Sequence, residues 1–378
     1  MKTIGIDGRF YGEAGPGRYV KNIVTFLEKV DKDNKYIVFL RPKGIEEYKP
    51  SNPNFTKQIA DYKWYSWGEQ IGFLVRLLSN KLDLFYVPHF NFPVLYPGKL
   101  VTAIPDLIMH TYSTEKGTTL PKPYFRFKKF VYKLVVHLAV KRSFKVIVPS
   151  FDVLNDFLKV FPQYTRNKYI VAVEGVDPAF LNQEYSEEGI NTKVEGNYLL
   201  YVSSMYEHKN VPRLVRAFKI LRDKYKLDLK LVLAGKKDKY SLAVEDLVNS
   251  LGLQDYVLIP GNKAPVSDNE SKYYRKHALL YVFPSLKEGF SLTPMEAQSF
   301  GLPCIISDIP VHREIYKDTV SYFDPGNEED IAAKIAALLA NQQLQKELIE
   351  KGLNHYKKFD WIKTAEITKS VFDDALKN

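Results

Sequence analysis

A single cysteine, Cys304, stands in a chain of 378 residues, so neither an intrachain disulfide nor a cysteine-based zinc cluster can hold the fold. Long hydrophobic runs are missing too: no apolar stretch approaches the ~18–20 residues that span a bilayer. The opening MKTIGIDGRF is interrupted by Asp7 and has no signal-peptide core. No repeat of roughly 20–50 residues recurs, which excludes a solenoid. No C2H2 finger or RRM signature is present, so nucleic acid is not an expected partner. These absences predict a cytoplasmic protein without disulfides.

What is present is ordinary for a folded chain, with 45% hydrophobic and 26% charged residues. At ~100–200 residues per domain the length predicts two domains. Charge is unevenly spread. Residues 1–180 carry 27 Lys/Arg against 16 Asp/Glu, and the remainder 27 against 28, so the whole +10 excess lies in the first half. Such asymmetry predicts an anionic partner for that half: a membrane surface, a nucleic acid or a phosphorylated substrate.

Short apolar runs alternate with helical patterns, the signature of β-α units in a parallel sheet. Strands are predicted at Thr3–Asp7, Tyr36–Leu40, Leu84–Val87, Leu100–Ile104, Lys145–Pro149 and Tyr169–Val173. A second set is Tyr198–Ser203, Lys230–Ala234, Tyr256–Pro260, Leu279–Phe283 and Cys304–Ser307. Helices follow where Val211, Leu214, Val215, Phe218 and Leu221, or Ile331, Ile335 and Leu338, recur at helical spacing. The acidic stretch 176–197, punctuated by Gly and Pro, predicts a linker between a domain of residues 1–175 and one of residues 198–356. The fold class is α/β, with two doubly wound Rossmann-like domains facing across a cleft. In such sheets ligands bind beyond the carboxyl ends of the strands.

Three motifs fall at those ends. Gly12-Glu-Ala-Gly15-Pro16-Gly17-Arg18-Tyr19 follows the first strand and opens a helix. It suits either an anion held by helix-terminal N–H groups or a tight turn with positive φ, and it matches neither the dinucleotide nor the P-loop pattern. Ser203-Ser204-Met205-Tyr206-Glu207-His208-Lys209-Asn210 places Lys209 just ahead of a helix N-terminus. There it would hold a diphosphate, or be a solvated lysine beside Asn210 as the capping residue. The third runs from Pro284 to Ala297. Glu288 leaves a strand on a Gly-containing loop, and Glu296 lies in the first turn of a helix that Pro294 opens. Glu288 reads as a carboxylate in the cleft or a surface charge. Glu296 reads as an acceptor for vicinal hydroxyls or the second half of a Thr293–Glu296 capping box.

The segment EGFSLTPMEAQSFGLPCIISDIPVHREI, with SYFDPGN beyond it, closely resembles glycosyltransferase family 4, a large retaining group with the GT-B fold. Glu288 and Glu296 match that family's E-x7-E motif. YVSSMYEHKNVPRLVRAF resembles its donor-phosphate segment, GPGRY its glycine loop, and FDWIKTAEITKSVF a closing helix, about 357–378, that crosses back onto the first domain. The resemblance implies transfer of a hexose from a nucleotide-diphosphate sugar, with GDP-mannose as the expected donor, to a glycan or lipid-linked acceptor. No cofactor and no metal are implied beyond that co-substrate. Asp31-Lys-Asp33 has a D-x-D pattern but falls in a polar turn.

Carried over by position, Glu288 would bind the donor sugar and Glu296 the ribose. Lys209 would neutralise the β-phosphate, and Gly15 and Gly17 would meet the same diphosphate from the other lobe. Ser204, Gly289 and Phe290 complete the donor-binding set. Two positions depart from the family: Ser204 stands where Arg is common, and the family's His-Asp pair falls on Pro105-Asp106. Asp106 is retained as a catalytic candidate; His89 or His110 takes the place of the missing histidine, or no histidine is needed there. Other readings of the same fold are a nucleotide-sugar epimerase, a sugar phosphorylase, or a non-catalytic membrane- or nucleic-acid-binding protein.

From Lys122 to Lys145 eight Lys/Arg and no Asp/Glu are interleaved with Tyr124, Phe125, Phe127, Phe130 and Tyr132. An anionic leaflet would attract such a segment at ~1 kcal/mol per basic residue near the surface. This predicts a peripheral protein on the inner face of the plasma membrane. The competing reading is a solvated amphipathic helix whose aromatics pack inward.

Overall fold

The computed structural model describes residues 1–13, 15–112, 122–182 and 184–377, with backbone alone at Thr111, Lys122 and Ala179. Ala14 of the glycine loop and the Lys122 side chain of the basic run therefore lie outside the described residues. The chain forms two compact units, residues 1–175 with 360–378, and residues 176–359.

The first unit is built on β1 (Thr3–Asp7), β2 (Lys35–Leu40), β3 (Phe55–Ile59), β4 (Leu84–Val87), β5 (Leu100–Ala103), β6 (Ser143–Val148) and β7 (Tyr169–Val171). They form one sheet in the order β3-β2-β1-β4-β5-β6-β7. Its pairs are parallel; β1 sets Ile4 against Tyr36 on one side and Leu84 on the other. Both faces are covered, which is why the central strands read as continuous apolar runs. One face packs the opening helix Pro16–Val30 and the closing helix Trp361–Lys377 through Val20, Ile23, Leu27, Trp361 and Phe372. Trp361 meets Tyr19 edge-on at 5.5 Å and Phe372 meets Tyr86 at 5.0 Å, so the closing helix is part of this unit's core. The other face packs Phe73 and Leu77 of the segment Gly68–Ser79, and Tyr132, Val136, Ala139 and Val140 of the basic helix Lys122–Arg142.

The second unit holds β8 (Tyr198–Val202), β9 (Lys230–Ala234), β10 (Val257–Leu258), β11 (Leu280–Phe283), β12 (Cys304–Ser307) and β13 (Ser321–Phe323), in the order β10-β9-β8-β11-β12-β13. Residues 176–197, predicted as a linker, group with this unit. Phe180 is buried beneath the Arg275 guanidinium, the Asn191 N–H donates to Glu270, and Tyr274 donates to the Thr192 carbonyl. Anchored polar backbone, rather than free chain, explains that acidic composition.

Candidate functional site

In the second sheet β8 has β9 on one side and β11 on the other, so the chain reverses its direction of strand addition between β8 and β11. That is the switch point, where the loops leaving the two strands part and leave room for a ligand. Lys209 leaves β8 in a short 3-10 turn, Glu207–Lys209, and Glu288 lies five residues beyond the end of β11. The two loops are tied together: the Leu286 N–H donates to the His208 carbonyl at 2.7 Å. Asn210, in the left-handed region at φ 59°, does not cap the following helix, Val211–Asp223, as the sequence suggested. Its side-chain N–H groups donate to the carbonyls of Pro284 at 3.0 Å and Pro325 at 2.8 Å, knitting three loops.

Lys209 Nζ donates to Glu288 Oε1 at 2.6 Å, with the two side chains only 13% and 8% exposed. Burial pushes the Glu288 carboxyl up, but the Lys209 ammonium, the neighbouring His208 and the hydrogen bond from Lys209 outweigh it and hold the group below its usual range. The site thus carries a fixed cation and a fixed anion in contact. His208 is pushed down to about 4, chiefly by burial and then against the attraction of Glu288, so it is neutral. Chemically, the ammonium suits a phosphate and the carboxylate suits hydroxyl donors.

Behind Glu288 the loop is clamped. Ser291 adopts φ 76°, ψ 71°, a left-handed conformation that a residue with a Cβ adopts at a cost of about 1–3 kcal/mol. Two groups hold it there. The Tyr316 hydroxyl donates to its carbonyl, and its own hydroxyl lies 3.0 Å from His312 Nε2. His312 Nδ1 is 2.8 Å from the Ser307 carbonyl, which requires Nδ1–H; Nε2 is then the acceptor and the Ser291 hydroxyl the donor. Full burial pushes His312 down to about 4, which keeps that tautomer neutral.

Of the two readings of Glu296, the structure excludes the capping box. The helix Leu292–Ser299 starts at Ser291, so Thr293 and Pro294 are its second and third residues and no Thr293–Glu296 capping box forms. The Glu296 carboxylate instead pairs with Arg275 at 2.6 Å, both side chains being at most 3% exposed. A buried guanidinium would be strongly destabilising without a carboxylate, so this pair fixes one helix against the other. Phe290 is buried against Phe359, ring centroids 5.8 Å apart. Gly289 is buried beside it. Ser204 is partly exposed, and its carbonyl accepts from the Tyr201 hydroxyl.

The first unit carries the remaining candidates. Gly15 sits at φ +73° ahead of the opening helix, which has no side-chain cap and no acidic residue in its first turn. A Cβ on Gly17 would lie 2.4 Å from the Phe10 carbonyl oxygen, so only glycine fits. The geometry meets both the tight turn and the open helix start. Asp106 Oδ1 accepts from the Ile108 N–H at 2.8 Å. His89, just after β4, is buried between Phe10 and Phe90 and pushed down to about 3 by burial and then by Arg9. His110 Nδ1 meets the Tyr132 hydroxyl at 2.9 Å. Asp31 accepts from Tyr36 and Asn34, so the D-x-D pattern is a turn lock.

Sequence reasoning missed Arg275, Ser291 and His312, and Glu174 of the first unit. Burial, followed by the nearby Asp106, pushes Glu174 up to about 7. It also missed the buried cluster in which Arg9 pairs with Asp7 and Glu69, each at 2.7 Å. The signal for that cluster was an arginine and an acid flanking Gly8 at the end of a first strand.

Residues 182–355 match the family model described as Glycosyl transferases group 1. The O-antigen chain mannosyltransferase RfbU of Salmonella typhimurium is 27% identical over 279 residues, covering 74% of this chain and 71% of that protein. The O-antigen chain mannosyltransferase B of Escherichia coli is 27% identical over 164 residues, covering 43% and 42%. Among solved structures, Anabaena HepE in complex with UDP and glucose superposes with a TM-score of 0.73 over 99% of this chain and 100% of that one, at 15% identity. That likeness shows the fold.

Proposed function

We propose that this chain of GT-B fold, whose residues 182–355 match the Glycosyl transferases group 1 model, is a retaining mannosyltransferase that builds a surface polysaccharide. The donor in this reading is GDP-mannose and the acceptor a lipid-linked glycan at an anionic membrane face. The observation that carries it is the Lys209–Glu288 contact at the switch point of the second sheet. A bound donor would take over both partners: its β-phosphate the ammonium, a sugar hydroxyl the carboxylate.

In the transfer, the bond from the anomeric carbon to the diphosphate oxygen breaks and a bond to an acceptor oxygen forms on the same face. The acceptor's proton leaves with the diphosphate. Charge grows on the departing phosphate, where Lys209 is already fixed, and such preorganisation is worth a few kcal/mol. Lys209 supplies this countercharge in place of a metal ion, so turnover should persist in excess EDTA. The mannosyl assignment follows the named activity of RfbU. Membrane attachment follows the charge of the helix Lys122–Arg142.

The test is incubation with GDP-[14C]mannose and a lipid extract from a polysaccharide-producing bacterium. The reading expects label in the lipid phase, and NMR of the product showing the donor's anomeric configuration. Inverted configuration, or no transfer from GDP-mannose while another nucleotide sugar is consumed, would overturn it.

A further inference from the structure

Between Tyr62 and Lys81 the first unit turns apolar side chains outward. Trp67, Ile71, Val75 and Leu78 recur at intervals of four, four and three, which places them along one face of the helical segment Gly68–Ser79 and its approach. They are 82%, 62%, 62% and 50% exposed, while Phe73 and Leu77 on the opposite face are buried. A helix at the surface of a soluble protein ordinarily shows charge on that side. Here the charges stand at the rim; those exposed within residues 62–82 are basic, and the flanking Asp61 and Asp83 pair with Arg41 and Lys2. Lys63, Arg76 and Lys81 are exposed, and the one carboxylate among residues 62–82, Glu69, is fully buried against Arg9.

This stripe shares a layer with the basic helix. Both elements pack their inner residues into the same hydrophobic cluster, so they cover the same sheet face and turn their outer sides the same way. The loop 92–98 joins them. Gln70 donates to the Phe92 carbonyl and accepts from the Val94 N–H, and Arg142 donates to the Tyr96 carbonyl. Leu95 stands on that loop 75% exposed. The basic helix adds exposed Tyr124, Phe127, Phe130 and Leu134 between its lysines.

We propose that this side of the first unit is a lipid-facing surface, and that the Trp67–Leu78 stripe enters the interfacial region of an anionic bilayer. It deepens, and rests on, the reading of a membrane-borne acceptor. Cations on the basic helix attract the leaflet from a distance but insert nothing; the stripe supplies the apolar area that holds. An indole at the boundary suits the headgroup level. No helix among the described residues is long and apolar enough to cross a membrane, so the contact is one of surface insertion. A second copy of the chain is a poorer occupant, because it would bring the same cations against these.

Trp67 is its own reporter. Of the three tryptophans, Trp361 is buried in the core and Trp64 is stacked on Phe10 at 4.3 Å. The full chain is mixed with phosphatidylglycerol vesicles with and without brominated acyl chains. Expected are a blue-shifted emission quenched by the brominated lipid, and loss of both in Trp67→Phe. Ile71→Ser with Val75→Ser should lower vesicle partitioning roughly tenfold or more, from the apolar area removed, with an unchanged thermal midpoint. Sedimentation with vesicles but no quenching and no effect of the serine pair would overturn the stripe and leave the basic helix as the membrane contact. No sedimentation at low salt would overturn membrane docking altogether. A dimer in free solution that itself shields Trp67 would also refute the proposal. Turnover of a detergent-solubilised acceptor reports on the transferase reading independently.

Discussion

At the scale of single residues, Lys209 and Glu288 satisfy each other's charge. A lone buried charge would cost several kcal/mol, and the 2.6 Å contact offsets part of that cost. Replacing Glu288 by Gln keeps the shape and loses the charge. The expected result is a fall in kcat of about 10²-fold with a modest change in thermal midpoint, measured by donor-consumption kinetics and calorimetric melting. These two residues were legible in sequence because each follows a strand within a compact motif. Arg275 and His312 were not. Their partners, Glu296 and Ser291, each lie 21 positions away, and only the packing of separate helices brings them together. Glu296 shows the consequence: local spacing suggested a capping box, and a distant guanidinium took the carboxylate instead.

At the scale of elements, the loop Glu288–Ser291 is held by the helix Pro310–Tyr316, which contributes both His312 and Tyr316. The left-handed Ser291 is stable only with that support. Ser291→Ala and His312→Phe should therefore each lower kcat. Their stabilities should be non-additive by about 1 kcal/mol in a double-mutant cycle, the worth of the shared hydrogen bond. Additive losses would mean that the two do not act together. Most strands were readable from apolar runs bounded by Gly and Pro. The exceptions are β3 and β13, which lie at sheet edges and need little apolar sequence. In β3, the run Thr56-Lys57-Gln58 is polar, and Lys57 is spent on the carbonyls of Ile45 and Tyr48. The edge strands β7 and β10 keep apolar runs and were read, whereas the polar run of β3 leaves too weak a period.

At the scale of the molecule, buried histidines and Glu174 respond to pH with opposite sign, and His89 and His110 of the first unit are pushed down as the histidines of the second are. In the second unit His208, His312 and His355 are each pushed down to about 4, chiefly by burial. Groups held neutral this way contribute stability that is complete above the ordinary histidine pKa near 6.5 and is lost as pH falls toward 4. In the first unit Glu174 is raised to about 7. Its contribution is present below the ordinary carboxyl range and is lost as pH rises through 7. Thermal melting should thus weaken from pH 6.5 to 4.5, and Glu174→Gln should gain on wild type between pH 5 and 8. A Glu174→Gln difference that does not change with pH would contradict this. The uneven charge of the chain was visible in composition. The exposed Trp67 stripe was not, because apolar residues at helical spacing read as core until burial is known. The most direct test of the account is calorimetric titration of the full chain with GDP, in wild type and Lys209→Ala. The account predicts saturable binding to wild type and an affinity loss of roughly 30-fold or more in the variant, the worth of a charge-assisted phosphate contact. Equal affinity in a folded Lys209→Ala would contradict it.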